Sequence, residues 1–265
     1  MAAKKPFKAR KTRERAPAPT KKIGPPLIPN HALEVEYRKE LYQLVLEAVL
    51  PMRALREGYA EDRLTVSSMA LLKKKAFTLA AKFVRKSNAY SRNRMWTVIE
   101  ELGKELTVGV AELSATLRNQ VVANVDLITG LAAESQEKLT KLFQENGPDQ
   151  AKTYADLQEY VGNRAKLIAT DQNAKIFTSL NTERMVGSGL KTFEWDHSSA
   201  GKVPRPCHVK RDGHTFSLEG GPSELRWPDG SDANSAFGGK RGDEGKPGWA
   251  INCRCRMRPS VSLDD

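Results

Sequence analysis

The stretch NRAKLIATDQNAKIFTSLNTERMVGSGLKTFEW, residues 163–195, changes from a helical to an extended pattern near its end. Its first part predicts a helix over 163–186. This helix is expected to end at Gly187-Ser188-Gly189, because glycine breaks a helix and commonly follows its last turn. Residues 190–195 then predict a strand. Since long helical patterns precede this stretch and short strand patterns follow it, we predict an α+β fold. A long helical N-terminal region precedes a small mixed α/β C-terminal domain.

The helical region is predicted from apolar residues spaced three and four apart, which form one stripe along a helix. The first stripe consists of Leu33, Tyr37, Leu41, Leu44, Val45, Ala48, Met52 and Leu55. Asn30 is expected to cap this helix, and Pro51 is expected to kink it. Asn146-Gly147-Pro148 is a strong signal for the end of one helix and the start of another. The further helices are predicted over 62–87, 91–107, 110–145 and 149–161.

Composition divides the chain into three parts. Residues 1–29 form a basic, proline-rich tail that we expect to be disordered, because proline blocks helices and apolar side chains are scarce. Residues 30–162 form the helical region. Residues 163–265 form the C-terminal domain, in which short strands are predicted around 215–218 and 250–257.

The positive charge is concentrated in the tail. Residues 1–22 contain nine basic residues and one acidic residue, a net charge of +8, whereas the remaining 34 basic and 31 acidic residues give +3. A body so close to neutral does not predict a basic nucleic-acid-binding face. The tail is either a solubilising segment or an electrostatic tether for double-stranded DNA or an acidic protein surface. The basic side chains of the tail are Lys4, Lys5, Lys8, Arg10, Lys11, Arg13, Arg15, Lys21 and Lys22.

Composition also argues against membrane-spanning, secreted and disulfide-rich classes of protein. The sequence has no run of about eighteen consecutive apolar residues, the length that a membrane-spanning helix requires. Residues 1–20 are basic but lack the apolar core of a secretory signal. Three cysteines are too few for a disulfide framework, which favours a reducing compartment. We therefore expect a protein made in the cytosol that has no membrane partner.

A long loop over 220–248 contains eight glycines and three prolines in 29 residues. Loops of this length within a compact domain are usually functional or become ordered on a partner. Trp227, Phe237 and Trp249 are expected either to pin this loop to the body or to anchor a partner.

Cys253 and Cys255 are the most chemically suggestive residues of the chain. Residues two apart on a strand project from the same face, so a strand here would direct both thiolates at one metal ion. Cys207 or His208, together with His214, would complete four soft ligands. Zinc is therefore a possible cofactor.

The same residues also have an ordinary structural interpretation. The cysteines then pack as small hydrophobic side chains. His208 then forms a hydrogen bond with Asp196 or Asp212. The sequence leaves both interpretations open.

Three segments of the C-terminal half occur in a specific order. RAKLIATDQN, residues 164–173, is followed through a helix by Gly189 and the residues FEW. RPCHVKRDGHTF comes next, at residues 205–216, and PGWAINCRC follows at 247–255. Together these segments resemble the phage head morphogenesis family, the minor head proteins similar to protein F of phage Mu and gene product seven of phage SPP1. The resemblance covers about residues 150–259.

This resemblance implies a minor capsid protein that acts in prohead assembly and in DNA packaging or delivery. The implied partners are the portal protein, the major capsid or scaffolding protein, and double-stranded DNA. The implied location is the virion, assembled in the host cytoplasm. We expect the family positions to be structural, with Trp195 in the core and Asp212-Gly213 in a tight turn. These positions are Arg164, Asp171, Trp195, Arg205, Asp212, Gly213, Asn252 and Arg254.

A metal-dependent phage nuclease is the alternative function. In that case His208 or His214 would activate a water molecule. The sequence contains no acidic pair spaced for two metals and no phosphate-binding glycine loop before a helix. We therefore predict no catalytic residues and a structural role.

Overall fold

A computed structural model describes residues 21–50, 66–104, 110–147, 149–198 and 204–262. Long helices followed by a small antiparallel sheet confirm the predicted α+β fold. In chain order the elements are β1 (Lys21–Ile23), α1 (His31–Val49), α2 (Val66–Glu101), α3 (Val110–Asn146), α4 (Gln150–Gly187), β2 (Thr192–Asp196), α5 (Pro206–Lys210), β3 (Thr215–Ser217), a 3-10 helix (Ser235–Phe237) and β4 (Arg256–Ser262). None of the helices in the described part of the chain has the length and apolar character needed to cross a membrane.

Polar caps fix the starts of two helices. Asn30 caps α1 as predicted, because its Oδ1 accepts hydrogen bonds from the backbone N–H groups of Ala32 and Leu33. Asp149 caps α4 by accepting from the N–H of Lys152 at 2.9 Å. The predicted break around Gly147 is confirmed, since α3 ends at Asn146 and α4 begins at Gln150. The kink predicted at Pro51 lies outside the described residues.

Two predicted interruptions are wrong. The helices predicted over 62–87 and 91–107 are one continuous helix in their described part, α2. Asn88, between them, supplies acceptors to Arg184 of α4, so the polar gap in the apolar pattern is a point of contact with α4. The helices predicted on either side of Gly162 are likewise one helix, α4. The boundary drawn at 162/163 therefore lies inside α4.

The helices pack around one apolar core to which α1, α2, α3 and α4 all contribute. Tyr37 and Phe83 stack with ring centroids 4.0 Å apart and planes 1° apart. The Tyr37 hydroxyl donates to Asn124 Oδ1 at 2.9 Å, and Asn124 Nδ2 donates to Gln172 Oε1 at 3.3 Å. The buried part of the predicted stripe on α1 includes Tyr37, Leu41, Leu44 and Val45. Its predicted members Met52 and Leu55 lie outside the described residues.

A second core lies between the sheet and the ends of α2 and α4. The strand order is β1-β4-β2-β3, with antiparallel neighbours throughout. Trp195 of β2 lies opposite Met257 of β4, and Phe193 lies opposite Phe216 of β3. Met95 and Ile99 of α2 extend the same cluster beneath the sheet. The C-terminal sheet is therefore packed on helices from both halves of the chain.

The predicted disorder of residues 1–29 is wrong for its last part. Lys21–Ile23 form β1, which pairs with β4 at the edge of the sheet. The Lys21 Nζ donates to Glu194 Oε2 at 3.2 Å, and Lys22 Nζ donates to the carbonyl of Glu101. Two of the nine basic residues assigned to DNA or an acidic partner therefore have partners within the fold. The other seven lie outside the described residues.

The loop over 220–248 is packed against the sheet. The ring of Trp227 stacks on Phe216, with centroids 5.2 Å apart and planes at 28°. Phe237 lies 6.1 Å from Phe216 and 5.6 Å from Trp227. Of the two roles considered for the loop aromatics, these contacts favour pinning for Trp227 and Phe237.

A buried lysine holds the two ends of the same loop together. Lys246 is only 1% exposed. Its Nζ donates to the carbonyl oxygens of Glu219, Gly220 and Gly221 at 3.2, 2.9 and 2.9 Å. Burial lowers the pKa of Lys246 to about 8.

Candidate functional site

The motif segments meet beneath the sheet at a cluster of one histidine and two cysteines. His208 lies on α5, and Cys253 and Cys255 lie in the turn that precedes β4. All three side chains are buried. Their ligand atoms lie within 4.8 Å of one another. We call these three residues the His-Cys cluster.

The imidazole of His208 is oriented by a backbone carbonyl. Its Nδ1 lies 3.4 Å from Cys253 Sγ and 3.7 Å from Cys255 Sγ. Its Nε2 lies 3.2 Å from the carbonyl oxygen of Asp243. Because a carbonyl accepts only, the neutral ring carries its proton on Nε2, which leaves the Nδ1 lone pair directed at the two sulfurs.

A backbone N–H contacts one of the two sulfurs. The backbone N–H of Gly248 donates to Cys253 Sγ at 3.4 Å. The contact with Cys253 and burial raise the pKa of Cys255, and the smaller opposing effects of the Ser198 backbone and the Trp195 indole do not reverse this. The Trp195 Nε1–H is buried and has no oxygen or nitrogen acceptor among the described residues. The Gly248 N–H therefore favours a thiolate at Cys253.

Gly248 permits the close approach of the turn to α4. Its φ is +85°, and a Cβ at this position would lie 2.6 Å from Thr178 Oγ1. Thr178 Oγ1 donates to the carbonyl of Pro247 at 2.6 Å. A side chain at 248 would break this contact and displace the N–H that serves Cys253.

The two thiols share a single ionisation. A hydrogen bond from Cys255 holds the pKa of Cys253 well below its usual range, against the effect of burial. The same contact with Cys253, together with burial, raises the pKa of Cys255. Without a positive charge between them, one thiolate therefore opposes the formation of the second.

A second set of contacts centres on Asp243. Arg205 Nε lies 2.7 Å from Asp243 Oδ1, and Arg205 Nη2 donates to the carbonyl of Ile251 at 2.7 Å. Arg211 Nη1 donates to the Asp243 carbonyl at 2.9 Å, and Cys207 Sγ donates to Asp243 Oδ2 at 3.6 Å. Although burial opposes it, the N–H of residue 240 and the Arg205 charge lower the pKa of Asp243. Asp243 thus links the 220–248 loop to α5, and Arg205 extends these contacts to the turn before β4.

Two expectations about the cysteines and histidines are wrong. Cys253 and Cys255 do not lie on a strand, since β4 begins at Arg256. The turn before β4 brings both sulfurs to the Nδ1 atom of His208. His214 is exposed and packs against Phe237 and Trp227, at 5.4 and 6.1 Å, so it lies outside the cluster.

Of the two alternatives Cys207 and His208, the structure places His208 beside Cys253 and Cys255, but the hydrogen bonds of His208 differ from expectation. Cys207 falls in a separate group with His208 and Asp243, and not with the other two cysteines. His208 contacts the carbonyl of Asp243, and neither Asp196 nor Asp212 is its partner. Asp196 instead pairs with Arg256 at 2.8 Å.

Most family positions form contacts outside the His-Cys cluster. Asp171 pairs with Lys175 at 2.8 Å and accepts from the backbone N–H of Asn252 at 3.4 Å. Asn252 has a φ of +56°, a conformation that asparagine tolerates better than most residues. Arg164 pairs with Glu134 of α3 at 2.8 Å.

The remaining family positions behave as follows. Trp195 is buried as predicted, and the turn at Gly213 has a φ of +72°. Asp212 Oδ1 accepts from the backbone N–H of His197 at 2.8 Å. Arg254 is exposed and lines a cavity beside the cluster.

That cavity adjoins the two cysteines. Its volume is about 380 Å³, and Cys253 and Cys255 form part of its wall. Glu34, Thr170 and Arg254 supply polar groups to the same wall. The cluster is therefore buried on its histidine side and borders an open space on its sulfur side.

Sequence reasoning did not identify Asp243, Arg211, Lys246 or Gly248 as important for this site. Asp243 and Lys246 lie in the glycine-rich loop, where no periodic pattern distinguishes one polar residue from another. Arg211 is fully buried, with its guanidinium carbon 5.1 Å from the Trp195 ring centroid. Nothing local in the sequence marks a buried arginine.

Comparisons with known proteins add little to this geometry. No family model matches the chain. Over 178 residues, 67% of the chain, the sequence is 27% identical to a Haemophilus influenzae protein named "Uncharacterized protein". The chain spans about a third of the length of this curated relative, 33%. No solved structure matches the chain.

Proposed function

We propose that the chain is a phage minor capsid protein that acts in prohead assembly and in DNA packaging or delivery. The observation that carries this proposal is the convergence of the three segments on which the resemblance rests. Asp171 contacts Asn252, Arg205 contacts Ile251, and His208 contacts both cysteines of the third segment. Residues far apart in sequence thus form one connected unit, as expected if the motif specifies a fold.

The charged residues of this unit are engaged with one another. The carboxylate of Asp243 is paired with Arg205, that of Asp171 with Lys175, and that of Asp196 with Arg256. Neither potential metal group among the described residues contains two carboxylates. A two-metal nuclease needs acidic groups that are free to hold divalent cations. The arrangement therefore argues against a two-metal nuclease.

The proposed partners are the portal protein, the major capsid or scaffolding protein, and DNA bound by the basic N-terminal segment. The proposed location is the virion. The test is to produce phage heads from the genome that encodes the chain, with the gene intact, deleted, or carrying His214→Ala. His214 is exposed, so its replacement leaves the buried cluster in place.

We expect purified heads to contain the intact protein and the His214→Ala variant in equal amounts. Deletion should reduce the yield of DNA-filled heads. A normal yield of infectious particles without the gene would contradict the assembly role. Divalent-metal-dependent nicking of plasmid by purified protein, lost in His214→Ala, would establish the nuclease instead.

Deleting residues 1–20 should abolish DNA binding without changing the melting temperature. This segment carries seven basic residues and one acidic residue, while strand pairing begins at Lys21. Each cation that neutralises a phosphate releases counterions, so the full chain should bind with a log K against log salt slope of about −4 to −6. Fluorescence anisotropy with random-sequence duplex DNA at several salt concentrations measures the DNA affinity and its salt slope.

The matched control is deletion of residues 1–23, which also removes β1. It should lose DNA binding to the same extent and destabilise the protein by about 1–2 kcal/mol, because the pairing with β4 disappears. Undiminished DNA binding after deletion of residues 1–20 would rule out the tail as the DNA contact.

A further inference from the structure

We propose that the His-Cys cluster binds one zinc ion through His208 Nδ1, Cys253 Sγ and Cys255 Sγ, with a water molecule as the fourth ligand. Thiolate and imidazole are ligands that zinc prefers in proteins. Zinc–sulfur and zinc–nitrogen bonds of about 2.3 and 2.0 Å at a tetrahedral angle place the two ligand atoms about 3.5 Å apart. The observed distances from Nδ1 to the sulfurs are 3.4 and 3.7 Å. The cluster thus has the spacing of a zinc site.

The surroundings of His208 match those of a metal-bound histidine. Metal-ligating histidines usually donate their second ring N–H to a carboxylate or carbonyl, which fixes the tautomer and the ring orientation. The Asp243 carbonyl, 3.2 Å from Nε2, has this role here. The Asp243 carbonyl is itself held by Arg211 Nη1 at 2.9 Å.

The surroundings of the sulfurs fit bound thiolates. The Gly248 N–H lies 3.4 Å from Cys253 Sγ. The buried Trp195 Nε1–H has no hydrogen-bond partner among the described residues. A zinc ion with two thiolates is electrically neutral, so it adds no net charge beside the buried guanidinium of Arg211.

The group formed by Cys207, His208 and Asp243 is less suited to zinc. The Asp243 carboxylate is already paired with Arg205 at 2.7 Å. It also accepts from Cys207 and from the backbone N–H of Lys240 at 3.1 Å. Binding a metal there would break these contacts, whereas the His-Cys cluster offers sulfurs that lack an ionic partner. We therefore place the ion between His208 and the two C-terminal cysteines.

The fourth ligand is inferred from the cavity beside the two cysteines. Cys253 and Cys255 line this space of about 380 Å³, which is large enough for several water molecules. Cys207 does not belong to the same ligand group as these cysteines, so the described residues supply three ligands and solvent supplies the fourth. The proposal rests on these contacts alone and does not depend on the proposed role in phage heads.

The test begins with the full chain, expressed with zinc and purified in reductant without chelator. Elemental analysis should find about one zinc per chain. Cobalt substitution should give the visible absorption of tetrahedral cobalt and a sulfur-to-metal charge-transfer band. X-ray absorption should give two sulfur ligands at about 2.3 Å and lighter ligands at about 2.0 Å. Removal of the metal by a chelator should lower the melting temperature.

Cys253→Ser and Cys207→Ser form a matched pair. The first should reduce the zinc content to below about a tenth of an equivalent, and the second should leave it unchanged. If Cys253→Ser does not fold, the sulfur count from the wild-type spectrum still decides the question. Absence of zinc from reduced wild-type protein, or equal loss of zinc from both variants, would overturn the proposal.

Discussion

Replacing Trp195 with alanine should destabilise the protein by about 3–5 kcal/mol, the range found when large aromatic side chains are removed from cores. Trp195 is 1% exposed and is the largest fully buried side chain of the described residues. It meets the ring of His208 edge-on at 5.2 Å and that of Phe216 at 6.0 Å. The guanidinium carbon of Arg211 lies 5.1 Å from its ring centroid. The substitution leaves a cavity that borders each of these groups.

Urea unfolding of the wild type and the variant measures this difference. Trp96→Ala is the matched control, because Trp96 lies on α2 and is 58% exposed. Its replacement should change the free energy of unfolding by no more than about 0.5 kcal/mol. Equal effects of the two substitutions would contradict the packing described for Trp195.

Replacing Arg184 with methionine should destabilise the protein by about 2–4 kcal/mol, because several buried acceptors lose a charged donor at once. Arg184 is 2% exposed. Its Nη1 donates to Ser91 Oγ at 2.5 Å, and its Nη2 donates to the carbonyl and the side chain of Asn88. Burial and then the neighbouring charge of Arg92 lower the pKa of Arg184 to about 10. The arginine stays charged at neutral pH despite this cost.

Two opposing effects determine how much Arg184→Met destabilises the protein. Methionine removes the cost of burying a charge and keeps much of the side-chain volume. However, the oxygen atoms of buried Ser91 and half-buried Asn88 remain between α2 and α4, and the loss of their donor is the larger effect. Arg164→Met is the control, since Arg164 forms a half-exposed ion pair with Glu134. The control should cost less than about 1 kcal/mol in the same urea experiment.

Periodic patterns predicted the parts of the fold that depend on local sequence. The stripe of Tyr37, Leu41 and Val45 became the buried face of α1, because burial selects apolar residues at helical spacing. Asn30 and Gly147 could be predicted as helix ends from the local sequence. The Asn30 side chain caps N–H groups two and three residues away, and Gly147 adopts the positive φ that ends a helix. Trp195 was expected in the core as a large apolar side chain, and it is buried there.

The remaining features depend on contacts between distant residues. The polar residues around Asn88 and Ser91 were interpreted as a break between two helices. Their partner Arg184 is more than ninety positions away, so the local sequence does not indicate the contact. The approach of His208 to Cys253 spans 45 positions and depends on Asp243, whose role no local pattern indicates. Cysteine spacing predicted that Cys253 and Cys255 would act together, but for the wrong reason, since a turn and not a strand brings them to His208.

The pairing of β1 with β4 brings the two ends of the described chain to one place. Lys21 lies directly opposite Ser262, so the polypeptide enters and leaves the fold at the same edge of the sheet. The 38 residues of α4 extend from Gln150 to the start of the sheet region, a length of about 57 Å at a rise of about 1.5 Å per residue. The segment before Lys21 is therefore attached at the sheet end of the molecule, at the opposite end of α4 from Gln150. If that segment binds DNA as proposed, the attachment point of the DNA-binding segment lies at this end.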